Sequence, residues 1–166
     1  AKRTPRIASR SSGVGSGALT MALLRAVGAE GQVIGYELRD DFAQRAQSNV
    51  EGMLGSDVPL TVEVRDTYEG IDEEDLDRIL LDLPEPWQVI AHAERVLRPG
   101  GILVAYTPSI TQATQARDAL RRQWIDARTL EVFHRGWHID GQAVRPDHRM
   151  VAHTGFLTHA RLLARN

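Results

Sequence analysis

Cysteine is absent from the 166 residues. Its absence excludes disulfides, thiolate metal sites and cysteine nucleophiles, and it fits a cytoplasmic protein. No apolar run approaches the roughly 18 residues that span a bilayer, so no membrane association is expected. The first ten residues are basic but lack the apolar segment of a signal peptide. There is no internal repeat, low-complexity tract or linker, and the length suits one compact domain rather than two. Lysine occurs once, at Lys2, and all other cationic side chains are Arg. Arginine suits phosphate forks and base stacking, although a GC-rich gene produces the same bias.

What is present is unevenly charged. The formal net charge is −2, but residues 1–27 carry five basic groups and no acid, residues 28–97 carry five Arg against 17 Asp and Glu, and residues 98–166 carry ten Arg against five acids. A basic C-terminal third is a candidate phosphate-binding surface, and a solvated face is the plain alternative. The acidic run Asp72-Glu73-Glu74-Asp75 reads as a solvated loop.

Strand-like and helix-like segments alternate. Gly17–Val27 has a helical apolar side at Leu19, Leu23, Leu24 and Val27, and Gly28 stops it. Gln32–Tyr36 reads as a short strand. Asp40 is placed to cap a helix running to about Leu54, ended by Gly55. Leu60–Val64 alternates like a strand, and Asp77–Leu81 reads as a buried one. Pro86 suits the first turn of a helix running to Leu97. A turn at Arg98-Pro99-Gly100-Gly101 leads into a strand at Ile102–Tyr106, and a helix is expected over Ser109–Gln123. Thr129–His134 and Phe156–Leu163 read as two more strands separated by a long loop. Alternating β and α elements imply an α/β fold with a mostly parallel sheet and helices on both faces. Two final strands without a crossover helix imply an antiparallel hairpin at the sheet edge.

The chemistry concentrates at strand ends. Gly13-Val14-Gly15-Ser16-Gly17 leads directly into the first helix, and glycines let backbone approach a ligand closely. Glu37 follows 20 residues after Gly17, at the end of the second strand, where a carboxylate meets ribose hydroxyls in doubly wound sheets. Loop, helix, strand and acid in this order point to a nucleoside cofactor. With Ala18 at the sixth position of the loop, the spacing is also tolerated in nicotinamide sites, so the loop alone leaves the cofactor open. Asp66 follows the third strand, and Asp82-Leu83-Pro84-Glu85-Pro86-Trp87 follows the fourth. The histidines His134, His138, His148 and His153 match no zinc spacing, so no metal is expected.

Together these features are similar to a Rossmann-like class I methyltransferase. From Gly13 to the C-terminus the chain resembles the tRNA (adenine-N1)-methyltransferases that modify position 58 of the T-loop, in their bacterial and archaeal form. The resemblance is carried by Gly13-Val14-Gly15-Ser16-Gly17-Ala18-Leu19-Thr20, Tyr36-Glu37-Leu38-Arg39 and Leu81-Asp82-Leu83-Pro84-Glu85-Pro86-Trp87. It continues through Leu97-Arg98-Pro99-Gly100-Gly101, Val104-Ala105-Tyr106-Thr107-Pro108, Thr111-Gln112, Arg135-Gly136-Trp137, Arg145-Pro146-Asp147-His148-Arg149-Met150 and His153-Thr154-Gly155-Phe156-Leu157. It implies S-adenosylmethionine as cofactor, tRNA as partner and a homo-oligomer, tetrameric in the family. It also implies residue roles. Gly13, Gly15, Ser16, Gly17, Ala18 and Leu19 would line the methionine and ribose side. Glu37 would bind the ribose hydroxyls, Phe42 would sit near the adenine, and Asp66 would accept from the adenine amine. Asp82 would face both methyl group and target adenine, Tyr106 would shape the target pocket, and Arg145, His148 and His153 would hold substrate or the terminal hairpin.

The resemblance also defines departures. Family members carry an N-terminal β-rich domain, and an apolar strand ending in an acid precedes their glycine loop. Here Ser9-Arg10-Ser11-Ser12 occupies that place, a poor match to a buried parallel strand. The expectation is therefore an atypical segment over residues 1–12, as from a frameshift or misplaced start, and a catalytic domain over 13–166. Two rival functions are a non-catalytic subunit that keeps the fold, and a nicotinamide-dependent oxidoreductase, which the Asp82 to Trp87 block disfavours.

Overall fold

The computed structural model describes residues 6–11 by their backbone, and residues 14–150 and 155–164 in full. Gly13 and His153 lie outside the described residues. Among the described residues, nine strands and four α-helices follow one another as β1 (Arg6–Ser11), α1 (Ala18–Val27), β2 (Gln32–Glu37), α2 (Asp40–Leu54), β3 (Leu60–Val64), β4 (Leu76–Asp82), α3 (Ile90–Val96), β5 (Leu97–Thr107), α4 (Ile110–Ala119), β6 (Trp124–Glu131), β7 (Trp137–Asp140), β8 (Ala143–Pro146) and β9 (Phe156–Leu162). A 3₁₀ turn at Pro86–Gln88 precedes α3.

Seven of the described strands form one sheet in the order β3-β2-β1-β4-β5-β9-β6, and β7 and β8 form a separate two-stranded sheet. Strands β1 to β5 run parallel, and β9 lies antiparallel between β5 and β6. The chain moves from β1 outward through β2 to β3, then returns to the other side of β1 and moves through β4 to β5. Parallel crossovers are right-handed, so this reversal puts α1 and α2 on one face and α3 and α4 on the other. The switch point lies between β1 and β4, at whose carboxyl ends such sheets bind ligands.

Pleat alternation sorts the residues of the central strands. Ile79, Leu81, Leu103 and Ala105 join Val89, Ile90, Ala93 and Val96 of the α3 side in the larger core cluster. A smaller cluster of Leu24, Val33 and Val50 seals α1 and α2 onto β2. Each such side chain contributes roughly 1.5–3 kcal/mol when fully buried. The Trp124 indole, also in the larger cluster, donates to Glu94 Oε1 at 2.7 Å.

Several local expectations are corrected. Arg39, not Asp40, is the N-cap of α2; Asp40 and Asp41 lie in the first turn, where carboxylates oppose the positive helix end. The helix expected from Pro86 to Leu97 is a 3₁₀ turn followed by seven residues of α-helix. The helix expected over Ser109–Gln123 keeps Ser109 as its cap, accepting from Thr111 N at 3.2 Å, but ends at Ala119. Arg122 then adopts a positive φ of 42° as the chain turns into β6. The Arg98 to Gly101 turn is a bulge inside β5, where the pairing with β4 shifts register, with Gly100 at φ 78°. The β7–β8 hairpin falls where only loop was expected. Its signal is Gly141-Gln142: the strands close through this two-residue loop with Gly141 at φ 54°, the conformation that a hairpin turn with glycine at its first central position requires. The polar segment Arg6–Ser11 pairs in parallel with both β2 and β4.

Candidate functional site

The glycine turn is shaped by contact as well as by φ. Gly15 and Gly17 have φ values of 56° and 83°, which suit residues without a Cβ. Gly17 N–H donates to Val14 C=O at 2.8 Å, and its own C=O accepts from Met21 N–H at 2.8 Å to start α1. A Cβ on Gly17 would lie 3.2 Å from Ala46 O and from a Val50 methyl carbon, so the turn sits against α2. Asn49 Nδ2 of α2 donates to Ser16 C=O at 3.0 Å. Gly35 in β2 gives room to Val14, whose Cγ2 would lie 2.9 Å from a Cβ there. Ser16, Ala18 and Leu19 are exposed along the start of α1.

Glu37 ends β2 and is buried. Its Oε1 accepts from Arg39 N–H at 3.0 Å, while Oε2 has no hydrogen-bond partner. A buried carboxylate oxygen left unpaired costs free energy, and a ligand bearing hydroxyl donors would satisfy it. Phe42 lies half-buried at the start of α2 beneath the Arg39 guanidinium, 4.2 Å from its ring centre. Asp66 follows β3, and its Oδ1 accepts from Tyr68 N–H at 2.8 Å. The Asp66 loop is strapped to β2: the Tyr36 hydroxyl donates to Glu73 and accepts from Asp72 N–H, and Arg65 pairs with Asp72 while stacking on the Tyr36 ring. Burial, reinforced by Glu73, holds the Tyr36 hydroxyl protonated above its ordinary range. Arg65 holds Asp72 below the usual carboxylate value.

Asp82 ends β4. It pairs with Ser11 of β1 and Tyr106 of β5, and Tyr106 pairs with Leu157 of β9. The β1–β2 register, Ser9 against Gly35, extends by two residues to set Glu37 level with Ser11 and hence with Asp82. The two carboxylate-bearing positions are therefore two strand spacings apart, about 10 Å, along one edge of the sheet. Beside Asp82 is a cavity of about 310 Å³ lined by Leu19, Leu80, Leu81, Asp82, Val104, Tyr106 and Leu157. Asp82 is the charged member of this apolar lining, and its burial raises the carboxyl pKa. The alternate residues Leu80, Asp82, Val104 and Tyr106 project to the face opposite α3.

The structure thus brings Leu19, Asp82 and Tyr106 to one cavity, with Glu37 on the same edge and Asp66 on the adjoining loop. Trp87 stays half-buried in the 3₁₀ turn. Arg145 lies on β8 and His148 beyond it, both exposed. Two contributors belong to the last block of the resemblance but were not expected at the site. Leu157 joins the cavity from the distant β9, and Gly155 leaves space for the Tyr106 ring, which a Cβ there would strike. Among the described residues no group of three or more His, Asp or Glu side chains is placed to hold a metal ion. No described helix is long and apolar enough to cross a membrane.

Comparison with known proteins adds three findings. Residues 6–145 match the family described as the tRNA methyltransferase complex GCD14 subunit. The chain is 37% identical over 177 residues to a tRNA (adenine(57)-N(1)/adenine(58)-N(1))-methyltransferase TrmI of Methanocaldococcus jannaschii, covering 90% of this chain and 62% of the relative. It is 37% identical over 155 residues to a tRNA (adenine(58)-N(1))-methyltransferase TrmI of Thermus thermophilus, covering 90% and 59%. The chain thus spans about three-fifths of the length of these relatives. Among solved structures, a SAM-dependent O-methyltransferase from Thermotoga maritima superposes with TM-score 0.87 at 36% identity, covering 99% of this chain and 62% of the other. The tRNA (m1A58) methyltransferase TrmI of Aquifex aeolicus shares the fold, with TM-score 0.79 at 24% identity, covering 97% and 63%.

Proposed function

Because the chain belongs to the family of the tRNA methyltransferase complex GCD14 subunit, we propose that it transfers a methyl group from S-adenosylmethionine to N1 of an adenine in tRNA, at position 58 of the T-loop. The catalytic unit in this reading is residues 13–166, acting in the cytoplasm. The observation that carries the reading is the placement of two carboxylates with different surroundings on one sheet edge: Glu37 with an unpartnered buried oxygen, and Asp82 in an apolar cavity.

Glu37 Oε2 would accept from a ribose hydroxyl of the cofactor, and Asp66 from its adenine amine. The Gly15 to Leu19 turn would hold the methionine end, and Phe42 would contact the adenine. Bound S-adenosylmethionine supplies an electrophilic methyl group on a cationic sulfur. Adenine N1 would take that methyl group through its own lone pair, the sulfur keeping the electron pair of the bond it gives up. No base is needed to start this step. Positive charge passes onto the base, and the Asp82 carboxylate stabilises it. Asp82 also accepts from the exocyclic amine, aiming N1 at the methyl carbon. The target base must leave its stack, and Tyr106 offers a ring against which it can rest.

Two features extend the reading to partners. The hairpin β7–β8 has an exposed basic and polar side for tRNA, and exposed Trp137, Ile139 and Val144 favour self-association as a homo-oligomer, a tetramer by family resemblance. The deciding experiment incubates the full-length protein with tRNA and S-adenosylmethionine and analyses the nucleosides by mass spectrometry. The reading expects 1-methyladenosine in the T-loop. Cofactor binding without any methylated nucleoside would favour the non-catalytic subunit.

A further inference from the structure

Two side chains from separate elements converge on a single peptide unit in the loop that carries Asp82. The Pro84 C=O accepts from Gln112 Nε2 at 2.9 Å, and the N–H of the same peptide, on Glu85, donates to the Tyr68 hydroxyl at 3.2 Å. Gln112 stands on α4, and Tyr68 lies in the loop after β3. One such bond leaves a peptide plane free to pivot about the other end. Bonds at both ends oppose its rotation.

The rest of the loop is already constrained, which leaves this peptide as the adjustable part. Leu83 is anchored in the core and Pro86 is buried. The ring of Pro84 fixes its own φ, and Pro86 keeps Glu85 out of the helical region; Glu85 sits at φ −129°, ψ 62°. Tyr68 is itself held firmly. Its N–H donates to Asp66 Oδ1, and its C=O lies 3.0 Å from His92 Nε2. One residue therefore ties the Asp66 loop to the loop of Asp82.

We propose that Tyr68 and Gln112 form a clamp on the Pro84–Glu85 peptide that positions the Asp82 carboxylate for methyl transfer. Neither side chain touches the reacting atoms, so both are positioning residues. The proposal rests on the reading of Asp82 as the residue facing the target base.

The test uses Tyr68→Phe, Gln112→Leu and the double variant in the full-length protein. Phenylalanine removes only the accepting hydroxyl, and leucine removes the amide donor at similar volume. Amide hydrogen exchange at Glu85, followed by NMR, should accelerate at least about threefold in each variant, with the melting temperature within about 2 °C of wild type. In single-turnover methylation the rate should fall about tenfold in each single variant, since small misplacements near reacting atoms are costly. The double variant should lose less than the product of the two, as members of one device do. S-adenosylmethionine affinity and KM for tRNA should stay within about twofold. Unchanged Glu85 exchange overturns the clamp, as does faster exchange with an unchanged rate. Loss of cofactor affinity in step with rate would assign the pair a merely structural role. If wild type methylates no tRNA, the functional reading fails, and the exchange measurement still decides whether the clamp exists.

Discussion

Glu37 and Asp82 are both carboxylates at strand ends, but their surroundings differ, and the proposed function gives them different work. Glu37 has one oxygen held by Arg39 N–H and one buried without a partner, the arrangement of a binding group awaiting a donor. Asp82 is surrounded by apolar side chains, and burial raises its pKa above the ordinary 3.8. A raised folded-state pKa means that folding favours the protonated form. That contribution is complete below the unfolded value and is lost as pH rises through the folded value. At neutral pH the Asp82 charge therefore costs stability. Asp82→Asn should melt higher than wild type at pH 7, with the gap closing as pH falls towards 3.8. Its methyl-transfer rate should drop on the order of 10²-fold with cofactor affinity little changed. Glu37→Gln should do the reverse, weakening cofactor binding about tenfold and sparing the rate at saturating cofactor. Calorimetry and single-turnover kinetics separate the two, and identical defects in both variants would refute the division.

The element with the least burial, the β7–β8 hairpin, is two-sided. Its register pairs Trp137 with Pro146 and Ile139 with Val144 on one face, and His138 with Arg145 on the other. Its base is closed by Asp147 N–H donating to Gly136 C=O at 3.0 Å, with the Asp147 carboxyl filling the space that a Cβ on Gly136 would need. The polar face suits phosphate. Replacing Arg145 and Arg149 together by Ala should weaken tRNA binding while leaving cofactor affinity intact. If each Arg neutralises one phosphate, the plot of log affinity against log salt should become shallower by about 1.4–1.8. An unchanged salt slope would remove both from the RNA surface. Equal loss of cofactor binding would make them structural.

At the scale of the whole molecule, charge is unevenly distributed along the chain. Acids dominate residues 28–97, which include β2, β3, β4 and their loops, while Arg dominates the last third. The apolar hairpin face, with Trp137 61% and Ile139 72% exposed, lies within this Arg-rich third. Water-exposed aromatic and branched side chains in one row favour contact with another surface. Sedimentation at micromolar concentration should therefore show an oligomer. Trp137→Ser combined with Ile139→Ser should shift it towards monomer without lowering cofactor affinity. An unchanged sedimentation coefficient would place the subunit interface elsewhere.

Much of this protein was readable from local pattern. Alternation located β2, β3 and β4, the glycine turn and Gly28 bounded α1, and Glu37, Asp66 and Asp82 were legible as acids following strands, while the roles proposed for Asp66 and Asp82 came from the family resemblance. These features depend on neighbours a few residues away, and a period of 2 or 3.6 records them directly. Tertiary structure decided what distant residues share. The cavity needs Leu157 opposite Tyr106, and the ring of Tyr106 needs Gly155 to lack a side chain. The Pro84–Glu85 peptide is held by residues 17 and 28 positions from their partners, separations that no periodicity encodes. The segment Arg6–Ser11 makes the point most directly. Its side-chain pattern is not that of a central strand, yet its backbone pairs on both sides, because the hydrogen bonds of a parallel ladder come from peptide groups and any non-proline residue carries both partners.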